Sequence, residues 1–200
     1  MVTGQRGVLV CISGPSGVGK GTICERLTRR MDAFLSVSAT TRPRREHEID
    51  GKHYFFLSRE EFERRIAQGG FLEYARVYGG HYYGTPAKPV IDALEAGRIV
   101  ILEIEIEGTI QVVRRFPDAA TIYVLAPSAS DQHQRLVGRA EDSESAIRER
   151  LDKADGEIRY AQDCGVYRYF VVNAVLDETV ERVEAIIRSH PVQAKESTEV

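Results

Sequence analysis

The chain has 200 residues, of which 42% are hydrophobic and 28% charged, as in one compact folded domain and unlike a disordered, collagen-like or coiled-coil chain. The formal net charge of −3 argues against a general nucleic-acid-binding protein, so a site for a polyanionic ligand has to concentrate its positive charge locally. No apolar run approaches the ~20 residues of a membrane helix, and residues 1–6 contain no apolar signal region. We therefore expect a cytoplasmic protein without a membrane or nucleic-acid partner. Cys11, Cys24 and Cys164 lack CxxC spacing, which predicts thiols rather than a disulfide framework or a zinc site.

The first elements of the chain predict the beginning of an α/β unit. Residues 8–12 form a short continuous apolar run with β-branched members, typical of a buried parallel strand. Ile23, Leu27 and Met31 are spaced by four, which indicates a helix after the intervening glycine-rich segment. Strand, loop and helix in this order are typical of an α/β protein.

The glycine-rich segment matches the phosphate-binding pattern G-x-x-x-x-G-K. In such a loop the glycines let backbone N–H groups turn toward phosphate oxygens, and Lys20 bridges the terminal phosphates. The predicted loop consists of Gly14, Pro15, Ser16, Gly17, Val18, Gly19, Lys20, Gly21 and Thr22. Gly21 stands where the pattern usually has the hydroxyl that ligates Mg²⁺. Either Thr22 substitutes for it, or the metal is held mostly by water and nucleotide phosphates, which Mg²⁺ tolerates.

Residues 36–86 differ from the preceding unit because they are rich in Thr, Arg, Gly and Tyr and contain short alternating stretches. Ser58 and Glu61 predict a capping box for a short helix that ends near Gly69. This segment is interpreted as a small α+β insertion between two α/β units.

Three arginines of the insertion, Arg42, Arg44 and Arg45, form a dense cationic patch beside several hydroxyl side chains. Because the guanidinium fork binds phosphate oxygens in a bidentate manner, the patch is a candidate phosphate site. The alternative is a surface loop whose charges face water.

The α/β alternation then resumes to the end of the chain. The predicted elements are a helix at 89–96, a strand at 99–105, a helix through 111–116, a strand at 121–126, a mobile Arg-rich helical flap at 130–150 without a full apolar face, a long helix at 143–163, a strand at 169–172 and a helix at 178–189. Glu103, Glu105 and Glu107 alternate near the carboxyl end of a predicted parallel strand, where α/β sheets bind ligands. Glu107 alternatively lies in a solvated turn.

Together these motifs resemble the guanylate kinase family across roughly residues 6–188. The matching pieces keep the family's order and spacing: the phosphate loop, residues 36–42, 51–54, 71–73, 82–85, 102–105 and 171–173. The resemblance implies the α/β fold of the P-loop nucleoside-monophosphate kinases, with a three-layer core around a mostly parallel sheet. The core would comprise 6–36, 87–128 and 151–188, the inserted α+β GMP-binding lobe 37–86, the helical lid 129–150 and the C-terminal tail 189–200.

The resemblance further implies transfer of the γ-phosphoryl group of Mg-ATP to GMP, and to dGMP, in purine nucleotide metabolism. ATP and GMP would be the partners, Mg²⁺ the cofactor, and the protein a monomer or a homodimer. The alternative is a guanylate-kinase-like module that binds proteins without catalysis. Such modules generally have a degraded phosphate loop, whereas this loop is intact.

Specific roles follow from the family resemblance for individual residues. ATP is expected to contact residues 14–22 of the phosphate loop with Arg135, Arg139 and Asn173. GMP is expected to contact Ser38, Arg42, Arg45, Tyr54, Glu73, Tyr83, Thr85, Glu103, Glu105, Arg139 and Arg150. The expected catalytic residues are Lys20, Arg42, Arg135, Arg139 and Arg150. Mg²⁺ is expected mainly on phosphates and water, with Thr22 and Glu103 as candidate protein ligands.

Guanine chemistry independently favours the role of Glu73. Guanine presents N–H donors that a carboxylate accepts, whereas adenine has no donor at ring N1 and would leave that carboxylate unsatisfied. Tyr82 and Tyr83 point to opposite faces of a strand, so one of them is expected to pack in the core.

The chain departs from the family pattern at several positions. Proline follows Arg42 directly, so either Arg45, which the gapless spacing to Tyr54 favours, or Arg44 is the second phosphate fork. Ala140 and Ala174 replace the usual Gly and Asp, and altered hinging of the lid is the expected consequence. Glu107 replaces the usual Gln, which alters the local charge balance.

Overall fold

The protein was studied as a computed structural model, which describes residues 7–77, 80–138 and 144–191. Its elements in chain order are β1 (Leu9–Ser13), α1 (Lys20–Met31), β2 (Phe34–Leu35), β3 (Ala39–Thr40), β4 (Phe55–Phe56), α2 (Arg59–Ala67), β5 (Phe71–Val77), β6 (His81–Pro86), α3 (Ala87–Glu95), β7 (Val100–Glu103), α4 (Ile106–Arg115), β8 (Ala120–Leu125), α5 (Ala129–Val137), α6 (Glu144–Asp163), β9 (Tyr169–Val172) and α7 (Leu176–Ser189).

A parallel sheet with the strand order β2-β7-β1-β8-β9 forms the central layer. Val10 and Ile12 of β1 pack toward α1 and α7, whereas Leu9 and Cys11 pack toward α3 and α4. Because helices cover both faces, every residue of β1 is buried, which explains its continuous apolar sequence. The predicted three-layer α/β core with a mostly parallel sheet is confirmed.

The segment between β2 and α3 forms a second sheet with the strand order β4-β3-β6-β5. The ring of Phe62 from α2 stacks on Phe71 and Tyr82, with ring centroids 4.2 and 5.2 Å away. Tyr82 therefore belongs to this small core, while Tyr83 faces the opposite side and contacts Arg42. The prediction that one of the two tyrosines packs in the core is confirmed.

Most predicted elements in the second half of the chain are confirmed, but the strand predicted at 99–105 is too long. β7 ends at Glu103, Glu105 precedes the first residue of α4, and Glu107 lies exposed in the first turn of α4. The helix predicted through 111–116 accordingly begins at Ile106. Alternating Glu and Ile imitate a strand, whereas the buried Ile106 and Val112 in fact belong to the apolar face of a helix. The three glutamates therefore do not share one strand face.

The described residues of the predicted flap at 130–150 differ from the expectation of a segment without a full apolar face. The first part of the flap is α5, which buries Leu136 and Gln132 and so has the packed face that the sequence analysis missed. The second part joins the long helix α6, which confirms the helix predicted at 143–163. Arg139 and Ala140 lie outside the described residues.

The remaining global expectations concern cysteines and membrane segments. Cys11 and Cys24 are buried, Cys164 is partly buried, and all three thiols are free. Within the described parts of the chain, no helix is both long enough and apolar enough to cross a membrane.

Candidate active site

A cleft of about 490 Å³ receives residues from both sheets and from α6. The predicted site residues that line it are Pro15, Ser16, Gly17, Val18, Gly19, Lys20, Gly21, Ser38, Tyr54, Glu73, Tyr83, Glu103, Glu105 and Arg150. The structure therefore brings the phosphate loop, the hydroxyl and tyrosine side chains of the insertion and three glutamates into one space. Predicted site residues that are described but do not line the cleft are Gly14, Thr22, Arg42, Arg45, Thr85, Arg135 and Asn173.

The phosphate loop is fixed from its outer side by residues far along the chain. The carbonyl oxygen of Val18 accepts hydrogen bonds from Asn173 Nδ2 (2.8 Å) and Arg135 Nη1 (3.3 Å), and that of Ser16 accepts one from Gln132 Nε2 (2.7 Å). Fixing these carbonyl groups suits a loop whose N–H groups have to converge on an anion. Arg135 and Asn173 therefore act on the loop in this structure, and Gln132 is a supporting residue that the sequence analysis missed.

The absence of a side chain at Gly19 allows Asn173 to lie close to the loop. The φ of Gly19, 93°, is in the left-handed region, and a Cβ added there would lie 2.7 Å from Asn173 Nδ2. A residue with a side chain would be strained in its backbone and would displace the amide of Asn173. The buried Oδ1 of the same amide has no hydrogen-bond partner in the described part of the chain.

Two cations and one carboxylate stand around the loop and the start of α1. Lys20 Nζ donates to the carbonyl oxygens of Gly14 and Pro15, and Arg150 Nη1 donates to Ser16 Oγ (2.9 Å). The carboxylate of Glu103 lies 3.6 Å from the place where a Cβ of Gly21 would stand. Lys20 and Arg150 thus bring two positive charges to the loop in a protein of net negative charge.

The donor set beside the phosphate loop fits Mg²⁺ but does not enclose it. Glu103 lines the cleft, whereas Thr22 is exposed and does not. Within residues 7–77, 80–138 and 144–191, no group of three or more His, Cys, Asp or Glu side chains forms a cage for a metal. One carboxylate beside a phosphate loop suits Mg²⁺, since this ion keeps several waters and binds nucleotide phosphates.

Arg42 is held beside the cleft by an acidic partner that the sequence analysis missed. Glu48 is only 6% exposed and accepts from Arg42 Nη2 (2.6 Å) and Nη1 (3.0 Å). Arg42 Nε donates to the hydroxyl of Tyr83 (3.1 Å), and its guanidinium lies 5.5 Å from the ring centroid of Tyr54. The hydrogen bonds from Arg42 lower the pKa of Glu48 to about 2. The sequence signal for such a partner was the run of acids directly after the three arginines, Glu46, Glu48 and Asp50.

Glu48 also organises the backbone of the arginine-rich loop. Its carboxylate accepts from the backbone N–H of Arg45 (2.7 Å), and its own carbonyl oxygen accepts from Arg44 Nη1. The Arg44 side chain is therefore tied back to its own loop. Both arginines are exposed and lie outside the lining of the cleft.

Glu73 of β5 supplies a buried carboxylate to the lining of the cleft, beside Gly108 of α4. It is 5% exposed, and its Oε1 accepts a hydrogen bond from the hydroxyl of Thr85 (2.6 Å), its partner across β5 and β6. Burial raises the pKa of Glu73 to about 7, although the hydrogen bonds from Thr85 act in the opposite direction. A buried acceptor of this kind suits a ligand that presents N–H donors.

Comparison with known proteins gives a consistent result. The family model described as guanylate kinase matches residues 6–190. The chain is 47% identical over 184 residues to the guanylate kinase of Thermus thermophilus, covering 92% of this chain and 81% of that protein. It is 45% identical over 192 residues to the guanylate kinase of Carboxydothermus hydrogenoformans, covering 96% and 92%. The crystal structure of guanylate kinase from Anaplasma phagocytophilum superposes with a TM-score of 0.75 at 30% identity, covering 96% of this chain and 89% of that one.

The raised pKa of Glu73 predicts a specific pH dependence of stability. From the ordinary value of 4.5 to the folded value of about 7, the folded state binds more protons than the unfolded state, so stability falls as pH rises through this window. Between pH 4 and pH 8, the free energy of unfolding should fall by up to about 3 kcal/mol more in the wild type than in Glu73→Gln, which lacks this titrating group. Urea unfolding of both proteins across this range measures the difference, and parallel pH profiles would contradict the prediction.

Proposed function

The chain belongs to the guanylate kinase family, and on that premise we propose that it transfers the γ-phosphoryl group of ATP to GMP, giving ADP and GDP. The observation that carries the proposal is the pairing within one cleft of a braced phosphate loop and a buried carboxylate, Glu73. The first feature suits the phosphates of a nucleoside triphosphate, and the second suits the N–H edge of guanine.

On the ATP side, residues 14–22 surround the phosphates. The charge of Lys20 stays beside the phosphoryl group while it is transferred. Mg²⁺ would enter with ATP and neutralise charge on its phosphates, and Glu103, beside Gly21 of the loop, is the carboxylate that would hold its water shell. Arg150 already contacts the loop through Ser16 and is positioned to neutralise the phosphoryl group. We assign Arg135 and Arg139 to the lid over ATP, with Arg135 also bracing the loop, and Asn173 to the adenine end of the same site.

On the GMP side, Arg42, Tyr54 and Tyr83 form one contiguous cluster that suits the phosphate, with Arg45 as the second fork. Glu73 and Thr85 form a hydrogen-bonded pair that suits the guanine edge. The residues proposed to complete the guanine site are Ser38, Glu103 and Glu105, all of which line the cleft.

The proposed reaction requires positioning more than proton transfer. The attacking atom is a phosphate oxygen of GMP, which is anionic near neutral pH, so no general base is needed. Catalysis then rests on alignment and on charge neutralisation by Lys20, the arginines and Mg²⁺. The intact loop also weighs against a non-catalytic protein-binding module, since such a module has no use for Lys20 at the centre of a nucleotide-sized cleft.

Each segment of the sequence has its own role in the proposed reaction. We assign GMP binding to the lobe 37–86, closure over ATP to the lid 129–150, and the phosphate loop to the core of 6–36, 87–128 and 151–188. The proposed guanine contacts are to the base and not to the sugar 2′ position, so we expect dGMP to serve as an acceptor beside GMP.

An ADP-release assay with GMP, dGMP, AMP and UMP tests the activity. GMP and dGMP should be phosphorylated, and kcat/KM for AMP should be lower by on the order of 10⁴, because AMP lacks the N–H group from which Glu73 accepts a hydrogen bond.

Lys20→Ala should lower kcat at least ~100-fold, since the charge of Lys20 stabilises the phosphoryl group during transfer. Lys88→Ala is the matched control, because Lys88 is exposed on α3 and pairs with Asp92. Equal use of all four acceptors, or a fully active Lys20→Ala, would contradict the proposal.

The assignment of the second phosphate fork is tested by comparing Arg45→Met with Arg44→Met. Arg45→Met should raise the KM for GMP at least about tenfold, because it removes a charged hydrogen-bonding fork. Arg44→Met should raise it less than about threefold, with an effect that fades at high salt, since Arg44 is exposed and tied to its own loop. A larger effect for Arg44→Met would show that the loop uses the other register.

A further inference from the structure

One face of α4 is built against the edge of the second sheet. Gly108, Gln111 and Arg115 are spaced by three and four residues, so they lie on the same side of the helix. The strand that they contact is β5, which pairs only with β6 among the described strands and which carries Glu73. α4 packs against the parallel sheet through Val112, so this face joins the core to the insertion.

Gly108 is the point of closest approach in this contact. A Cβ added to Gly108 would lie 2.5 Å from Glu73 Oε2 and 3.0 Å from its carboxyl carbon, closer than real Cβ atoms come. Glycine within a helix is unfavourable compared with alanine, so its presence in a buried position of α4 requires a local reason. The space that its missing side chain leaves is occupied by the carboxylate of Glu73.

The other two residues fix the backbone on either side of Glu73. The carboxamide of Gln111 donates to the carbonyl oxygen of Tyr74 (2.7 Å) and accepts from its N–H (3.2 Å), as a neighbouring strand would do. Arg115 Nη1 donates to the carbonyl oxygens of Leu72 (3.1 Å) and Phe71 (3.3 Å). These hydrogen bonds leave the edge strand little freedom to shift along or away from the helix.

We propose that Gly108 is a specificity-determining residue, which positions the Glu73 carboxylate for guanine by leaving room for it against α4, with Gln111 holding the strand in register. This inference rests on the proposed function, in which Glu73 accepts hydrogen bonds from guanine. Gly108 itself contacts no reacting atom. With Oε1 held by Thr85 and Oε2 against the helix backbone, the carboxylate plane has one orientation, and a methyl group at position 108 forces it away.

The test compares Gly108→Ala with Gly156→Ala, a matched control. Gly156 also lies inside a helix, α6, but an added Cβ there meets nothing within 4 Å. Gly108→Ala should raise the KM for GMP by about tenfold to 100-fold with less than about a twofold change in the KM for ATP, since displacing a binding group by about 1 Å has effects of this size. Gly156→Ala should leave both KM values unchanged. Equal KM values for Gly108→Ala and wild type, or an equal rise for both substrates, would overturn the inference.

A double-mutant cycle separates positioning from general damage to the fold. In a Glu73→Ala background the clash is absent, so Gly108→Ala should raise the KM for GMP no further and should raise the urea midpoint of unfolding, as alanine favours a helix. If the penalty of Gly108→Ala is the same in both backgrounds, the inference is wrong. A Glu73→Ala variant with a normal KM for GMP would overturn both the assigned role of Glu73 and the inference. If Glu73→Ala raises the KM for GMP but Gly108→Ala does not, only the inference is overturned.

Gln111→Ala provides the answer if Gly108→Ala does not fold. This substitution adds no atoms to the contact and removes the carboxamide that pairs with Tyr74, together with one methylene group. The KM for GMP should rise at least about threefold while the KM for ATP stays constant. An unchanged KM for GMP in Gln111→Ala would count against the inference.

Discussion

Burial of the Glu73 carboxylate between β5 and α4 is the constraint on which the proposed site depends. Taking this group out of water is unfavourable, and the hydroxyl of Thr85 offsets only part of the cost, which is why the pKa of Glu73 rises to about 7. The second sheet supplies the carboxylate, and α4 supplies the surface against which it rests. In the proposed function, a base that brings N–H donors to this position would stabilise the ionised form, and the cost of burial would then favour guanine over bases without those donors.

The proposed phosphate sites share one feature, which is that a second side chain fixes a group of the site before any ligand binds. Asn173, Arg135 and Gln132 hold carbonyl groups of the phosphate loop, and Glu48 holds the guanidinium of Arg42. Groups that are already oriented lose less freedom when an anion binds. The protein can therefore be acidic overall and still bind two polyanionic nucleotides, because its arginines and Lys20 are placed individually.

The phosphate loop and the central sheet were predictable because their signals are local. Residues 8–20 contain the apolar strand, the glycines and the lysine in a single run, and the motif requires little tertiary information. Gln132 and Gly108 were missed because each acts on a partner that only the fold brings near, as when Gln132 reaches Ser16. Glu48 was missed although its partner Arg42 lies only six residues away, because the sequence does not show which of the acids after the arginines pairs with them. The end of β7 was predicted wrongly because alternating Glu and Ile satisfy a strand pattern until Ile106 is buried as part of a helix.

The central claim is that Glu73 recognises guanine as a buried, ionised acceptor. Calorimetric titration of wild type and Glu73→Gln at pH 8 with GMP, and separately with a non-hydrolysable ATP analogue, tests it most directly. The substitution replaces an acceptor oxygen with a donor that faces the donors of guanine, so GMP binding should weaken by about 10- to 100-fold while binding of the ATP analogue stays within about twofold. Equal weakening of both ligands, or unchanged binding of GMP, would show that Glu73 holds the fold together and does not read the base.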